Sequence, residues 1–362
     1  MNKVQRLALL TVGSLVLATA GWKSFTAPAS LHNTPALSAP AAAQTKQANV
    51  SILTGSAKEA LLRDPDIAKV LADHGLTVSV TKTSSVDADR VKAPNFDIVW
   101  PAGSNAAKDL SLPKSAATSI FFSPLAFASW APIQKILAAN GVIDSKSSNV
   151  VQLSKLLPLM TSSTRWNQLK DASDHGYALN RSVLVNTPDI RRSNTGLLYL
   201  SLLAFELNNS TPLSNEADVA TYATKLAPLI SRQGFQEDTL TGPFEDYLGI
   251  GMGKAPIVLV YESQFLEAKA SGKLPTGANA PTLLYPSPTL FIKHVMLSNT
   301  PTGARLAKLF AEDPTIRKIL SERYGYRLPN MADKTKPDLT DVADEPTSAV
   351  LATFLTALNP AR

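Results

Sequence analysis

From Val50 onward the chain alternates short apolar runs with stretches in which apolar residues recur every three to four positions, the periods of a strand and of a one-sided helix. Residues 50–53 predict a strand, and Ala60, Leu61, Ile67, Val70 and Leu71 predict helical turns behind it. Asp64-Pro65 divides those turns into two helices, because Asp is a favoured N-cap and Pro suits the first helical position. Gly75 ends the second helix. Residues 76–81 and 96–100 predict further strands, and 120–130 a long extended run with Pro124 inside it. Strand, helix, strand at this spacing makes a βαβ unit of a parallel sheet.

A second set of elements begins near Pro132. Helices are expected at 133–139, 154–160, 196–207, 219–231 and 263–270, and strands at 183–186, 257–261, 283–285 and 291–297. Residues 187–194 read as a loop, while the stretch after Trp166 up to Asn180 has no clear period. Helices at 303–312 and 314–323 follow, the latter opened by Asp313-Pro314 and stopped by Gly325. Val350, Leu351, Phe354, Leu355 and Leu358 fall at helical spacing in a last helix at 348–358.

The first residues differ in kind. Lys3 and Arg6 precede an uncharged, mostly apolar stretch at 7–20 that ends in Ala18-Thr19-Ala20, the outline of an export signal over 1–20. Sixteen uncharged residues run to Trp22, short of the roughly 20 of a spanning helix, and a retained membrane tether is the alternative to cleavage. Residues 21–47, rich in Ala and Pro, read as a linker too poor in burial to fold alone. The expected location is therefore periplasmic or otherwise extracytoplasmic.

With 362 residues, 44% of them hydrophobic and 18% charged, the chain can build two ordinary cores. Zero Cys excludes disulfides, thiol nucleophiles and thiolate metal sites, and four scattered His make a poor metal set. The net charge of +6 is spread without a basic cluster interleaved with aromatics, so no nucleic-acid partner is expected. Nucleophile elbows, zinc motifs and phosphate-binding glycine loops are missing from the sequence, which disfavours an envelope hydrolase and leads us to expect neither catalysis nor a cofactor.

Two helix starts carry the candidate chemistry. Gly55 and Ser56 follow the first strand directly, where Gly allows a tight turn, Ser caps, and N–H groups point outward. Arg191 and Arg192 stand beside Ser193, Asn194 and Thr195 at the start of the apolar helix, bringing guanidiniums and hydroxyls to its positive end. Both lie at carboxyl ends of strands, the ligand side of open α/β sheets. Trp100, Trp130 and Tyr285 end strands where an organic ligand could stack. For each feature, capping or core packing is the competing explanation.

Taken in order, Thr54-Gly55-Ser56, Phe96-Asp97-Ile98-Val99-Trp100, Phe122-Ser123-Pro124-Leu125-Ala126, residues 188–196 and Val260-Tyr261-Glu262-Ser263-Gln264 resemble the type II periplasmic substrate-binding proteins of ATP-driven (ABC-type) importers. Leu284-Tyr285-Pro286 and a closing helix pair ending Tyr324-Gly325-Tyr326-Arg327 extend the resemblance over roughly 50–328. It implies two α/β lobes, each a mixed or parallel sheet flanked by helices, joined by two crossover strands. Lobe 1 would comprise 48–125 and 262–362, and lobe 2 would comprise 126–261. It also implies a small anionic or polar ligand in the cleft and an inner-membrane permease as partner. Ser56 looks like the first-lobe contact, Ser193, Asn194 and Thr195 like the second-lobe helix start, and Ser123, Tyr261 and Glu262 like hinge residues. The second helix start departs from the Ser/Gly-rich turn of oxyanion receptors. A membrane-tethered assembly or sensing protein on the same fold is the rival reading.

Overall fold

The computed structural model describes residues 47–83, 95–103, 116–144 and 146–358; the expected export signal and linker lie outside these residues apart from Gln47. All elements below belong to one unit, Thr45–Arg362. Strand β1 (Ala48–Thr54) leads through a 3-10 turn, Ser56–Lys58, into the short helix Glu59–Leu62 and then the helix Pro65–Asp73. The break between those helices has the cause the sequence suggests. Asp64 Oδ1 accepts from the N–H groups of Asp66 (2.9 Å) and Ile67 (3.2 Å), with Pro65 at the first helical position.

Strands β2 (Leu76–Lys82) and β3 (Ile98–Trp100) flank β1 in parallel, so the expected βαβ arrangement is present. Asp97 locks the end of this sheet to a distant helix. It accepts from Ser51 N–H (2.8 Å) and Oγ–H (2.7 Å) and from Thr300 Oγ–H (2.7 Å), while Thr300 caps the helix Pro301–Glu312. Burial works against the Asp97 charge, yet these hydrogen bonds hold its carboxyl below the usual carboxylate range.

The long strand β4 (Ala116–Trp130) organises the rest. Its first part pairs antiparallel with β8 (Phe291–Ser298), from Ala116↔Ser298 to Pro124↔Phe291. Its second part lies between β6 (Val258–Tyr261) and β7 (Pro281–Ser287), both antiparallel, and β7 carries β5 (Val150–Gln152) in parallel. The sheet order is thus β2-β1-β3-β8-β4-β7-β5, with β6 on the other side of β4. Pro124, which brings no N–H, stands at the change of partners, where a ladder donor is least missed.

Two hydrophobic cores meet along β4. Ile120 and Phe121 belong to one, with Val50, Ile98, Phe310 and Leu320; Leu125 to Ala128 belong to the other, with Leu156, Leu200, Leu226 and Val260. Core membership departs from the expected division at 261/262. Phe265, Ala268, Leu284 and Tyr285 stay with the second core, as do Leu351 and Phe354 of the terminal helix Ser348–Leu358. The chain returns to the first core only along β8, between Ile292 and Met296. At Tyr261 and Glu262, β6 ends and the helix Glu262–Ala270 begins; Phe265 and Ala268 of this helix join the second core, while Leu266 lies against Gly325 beside the first core's Tyr324 and Tyr326.

Other differences are local. Residues 183–186 are not a strand; Asn186 alone bridges β6, its N–H donating to Ile257 O (2.9 Å) and its carbonyl accepting from Leu259 N–H (2.9 Å). The expected helix at 314–323 is α-helical only over Pro314–Lys318 and widens into a π-helical turn, Ile319–Arg323. Strand β5 and the helix Thr241–Gly249 have no counterpart among the expected elements. Among the described residues no helix is long and apolar enough to cross a membrane.

Candidate functional site

A cleft of about 310 Å³ opens between the turn after β1 and the start of the helix Asn194–Leu207. Gly55, Ser56 and Lys58 line one side, and Arg192, Ser193, Asn194 and Thr195 the other. Lys82 and Thr83 after β2, Thr239, and Tyr261 at the end of β6 also line it, together with one carboxylate, Asp238, which lies 3.5 Å from Arg192. Seven of the twelve sequence-derived candidates therefore share one cleft: Gly55, Ser56, Arg192, Ser193, Asn194, Thr195 and Tyr261.

The second-lobe side is built by capping chemistry. Ser193 is the N-cap, its Oγ accepting a long bond from Gly196 N–H (3.4 Å), so the first N–H groups of a 14-residue helix face the cleft region with the positive end of its dipole. Gly196 is required by packing, since a Cβ there would lie 2.9 Å from Pro188 O. Asn194 Nδ2 donates to Ala102 O (3.1 Å), tying this helix start to the segment after β3. The hydroxyls of Thr195 and Tyr261 are 2.6 Å apart, and burial pushes the Tyr261 phenol up to about 12.

The first-lobe side differs from expectation in detail. Ser56 makes no capping hydrogen bond; Gly55 precedes the turn at φ −80°, ψ 163°, a backbone open to any residue. The glycine is therefore not needed for a left-handed turn.

Five candidates take other duties. Trp100 is fully buried between Phe121 and Phe310, each with ring centroids 5.4 Å away. Ser123 is buried and its Oγ accepts from Ser263 N–H (3.1 Å). Arg191 is bound to Asp189 through Nε (2.9 Å) and Nη2 (2.6 Å), leaving Arg192, 3.5 Å from Asp238, as the guanidinium at the cleft. Glu262 is fully buried and receives two hydrogen bonds from Arg327, at 2.7 and 2.8 Å, and one from the Tyr285 hydroxyl at 2.8 Å. A paired, fully hydrogen-bonded carboxylate of this kind is a structural bolt, because removing either partner strands the other charge. Trp130 likewise packs inside, donating to Ala255 O (2.9 Å).

The most unusual group in the cleft wall is one the sequence reading passed over. Lys58 is fully buried, its Nζ has no hydrogen-bond partner, and the nitrogen lies 5.6 Å from the centroid of the Trp100 ring. Desolvation brings this amine down to about 7. The only local signal is its place in the same turn as Ser56; its burial depends on Trp100, far along the chain. Lys82 adds a second amine, held by Glu59 at 2.8 Å. With hydroxyls from Ser56, Thr83, Ser193 and Thr239 beside them, these groups form a donor-rich cavity suited to an acceptor-rich ligand.

Neither a protein-family model nor a curated protein sequence matches the chain. Solved structures do. The periplasmic binding protein P5PA is 13% identical over 86% of this chain and 95% of its own, with a TM-score of 0.52. The periplasmic molybdate-binding protein of Azotobacter vinelandii is 14% identical over 78% of this chain and 100% of its own, at 0.43. The sulfate-binding protein SubI of Mycobacterium tuberculosis is 12% identical over 84% and 96%, at 0.46. The likeness to P5PA, together with the two cores joined along β4, establishes the fold: α/β, two-lobed and of the periplasmic-binding-protein kind.

Proposed function

We propose that this protein is an exported solute-binding protein that captures a small anionic ligand in the cleft between Ser56 and Ser193 and delivers it to an inner-membrane ABC-type permease. The observation that carries the reading is the convergence of a helix N-terminus, hydroxyl side chains and amines on one cavity at the carboxyl ends of β1 and β2. A fold that binds ligands at strand carboxyl ends supports it, and so does a cleft wall held by hydrogen bonds that reach across the chain, such as Asn194 to Ala102. Thr195 and Tyr261 shape that wall, while Arg192 and Lys82 supply positive charge at its rim.

Thermal melting of the full-length protein against a panel of small anions and neutral polar solutes tests the reading. A ligand that binds only the folded state at about a hundred times its Kd stabilises by about 2.7 kcal/mol, a clear rise in midpoint. Anions are expected to give that rise and neutral sugars or amino acids are not. A panel in which nothing stabilises, or only neutral solutes do, rejects the proposal.

A further inference from the structure

Lys58 stands on the wall of the cleft without an ion pair among the described residues, and its Nζ meets no acceptor. Of the titratable groups around it, Lys82, Arg192 and Tyr261 are engaged elsewhere, whereas the buried His294 has no hydrogen-bond partner for either ring nitrogen, and burial and the neighbouring Lys58 hold its imidazole well below the ordinary range. From β2, Lys82 is bound to Glu59; from the segment before the helix start, Arg192 stands near Asp238; from β8, the fully buried His294 faces the same interior. Tyr261 of β6 is bonded to Thr195, and Glu345 of the C-terminal segment acts on Tyr261. A buried ammonium with no counter-charge is among the costliest arrangements in a protein, and the usual escape is to give up the proton.

We propose that Lys58 is the counter-charge for the ligand, its amine unpartnered in the empty protein and held in the protonated form once a tetrahedral oxyanion enters. The proposal rests on the anion-binding reading above and deepens it. Ser56, Thr83, Ser193 and Thr239 line the cavity from four separate segments, the Thr239 hydroxyl 2.8 Å from that of Thr241 and the Ser193 hydroxyl accepting from Gly196 N–H. Donors spread in this way match the oxygens of a sulfate or phosphate group, which accept in many directions, better than a planar carboxylate. The anion supplies the charge that stabilises the ammonium, and the ammonium supplies a strong, desolvated hydrogen bond in return. Desolvation already lowers this amine to about 7, so the exchange falls within ordinary pH. Capture is then coupled to a proton and weakens as pH rises.

Inorganic sulfate, whose charge is constant over this range, and glycerol 2-phosphate serve as probes of a bare oxyanion and an esterified one. In full-length protein labelled with ¹³C at lysine Cε, the Lys58 signal is assigned by its loss in Lys58→Met. Its titration midpoint is expected near 7 without ligand and at least two units higher when either anion saturates the cleft. Calorimetry at pH 7.5 in buffers of different ionisation heat should show net proton uptake, up to about one per anion bound. Lys58→Met should bind sulfate roughly ten- to hundredfold more weakly, and with no pH dependence between 6 and 8.5. Lys58→Arg, always charged, should bind without taking up a proton. An ordinary lysine midpoint in the empty protein overturns the proposal, as does an unweakened Lys58→Met. Anions that bind without moving Lys58 sink this inference and leave the solute-binding reading intact. If neither anion binds, the inference falls; if neutral solutes alone then stabilise the protein, the anion reading falls with it.

Discussion

The hydroxyl of Thr195 lies against that of Tyr261 in the cleft wall, both residues largely buried, so each satisfies the other. Removing one partner strands a buried polar group, and Thr195→Ala or Tyr261→Phe alone is expected to cost about 1 to 3 kcal/mol in urea unfolding. The double variant should cost less than the sum by about 1 kcal/mol, since it leaves nothing stranded. Strict additivity would show that the pair carries no energy. The same local rule explains what could be read in advance. Ser193, Asn194 and Thr195 were legible because caps are chosen by residues a few positions apart. Lys58 was not, because what makes it unusual is the apolar company of Trp100, which the fold brings from 42 positions away. Glu262 is a related case: its partner Arg327 lies 65 residues on.

Helix starts follow two patterns that look identical in sequence. Asp64-Pro65 and Asp313-Pro314 each place a carboxylate over two N–H groups and a proline at the first helical position. Asp313 does nothing further among the described contacts, whereas Asp64 is nearly fully buried and also accepts from Arg323 (2.6 Å) and the Tyr324 hydroxyl (2.9 Å). Asp313→Ala is therefore expected to cost about 1 kcal/mol, the value of a cap. Asp64→Ala should cost about 2 kcal/mol, because the cap is lost together with one of the two acceptors of the Tyr324 hydroxyl, Ala60 O at 3.1 Å remaining, while the half-exposed guanidinium adds little. Equal losses in thermal or urea unfolding would mean that both residues are caps and nothing more. Long periodic helices and apolar strands were readable for the same reason as these caps. Strand β5, three residues long, and the helix Thr241–Gly249, with Gly242 and Pro243 in its first turn, offer too little period to register. Residues 183–186 have the composition of a strand, but only Asn186 pairs with β6, while Val183 N–H donates to Thr164 O.

Two cores that change over within β4, between Phe121 and Leu125, make that short stretch the natural bend of the protein. Ligand capture is expected to draw the lobes together about it and about the return along β8. Small-angle scattering with an anion that raises the melting midpoint should show a smaller radius of gyration, and an unchanged profile at saturation would exclude closure. Periodicity along the chain does not show which core β7 and the terminal helix join, because both pack with segments distant in sequence. That terminal stretch adds a restraint. After Leu328 in the first core, the backbone gives Pro337 O to Arg327 (3.0 Å), and Asp341 O then accepts from Thr289 N–H (3.0 Å). Ala343 N–H bonds Thr289 O (2.8 Å) and the chain enters the second core. It is anchored on Thr289, between β7 and β8, beside the bend itself. Points on a rotation axis stay put while everything else swings, so a segment fixed there is expected to permit turning yet resist sideways slip and splaying. The entropy of confining the lobes to one arc is then lost when the protein folds, and little of it remains to be charged against the ligand.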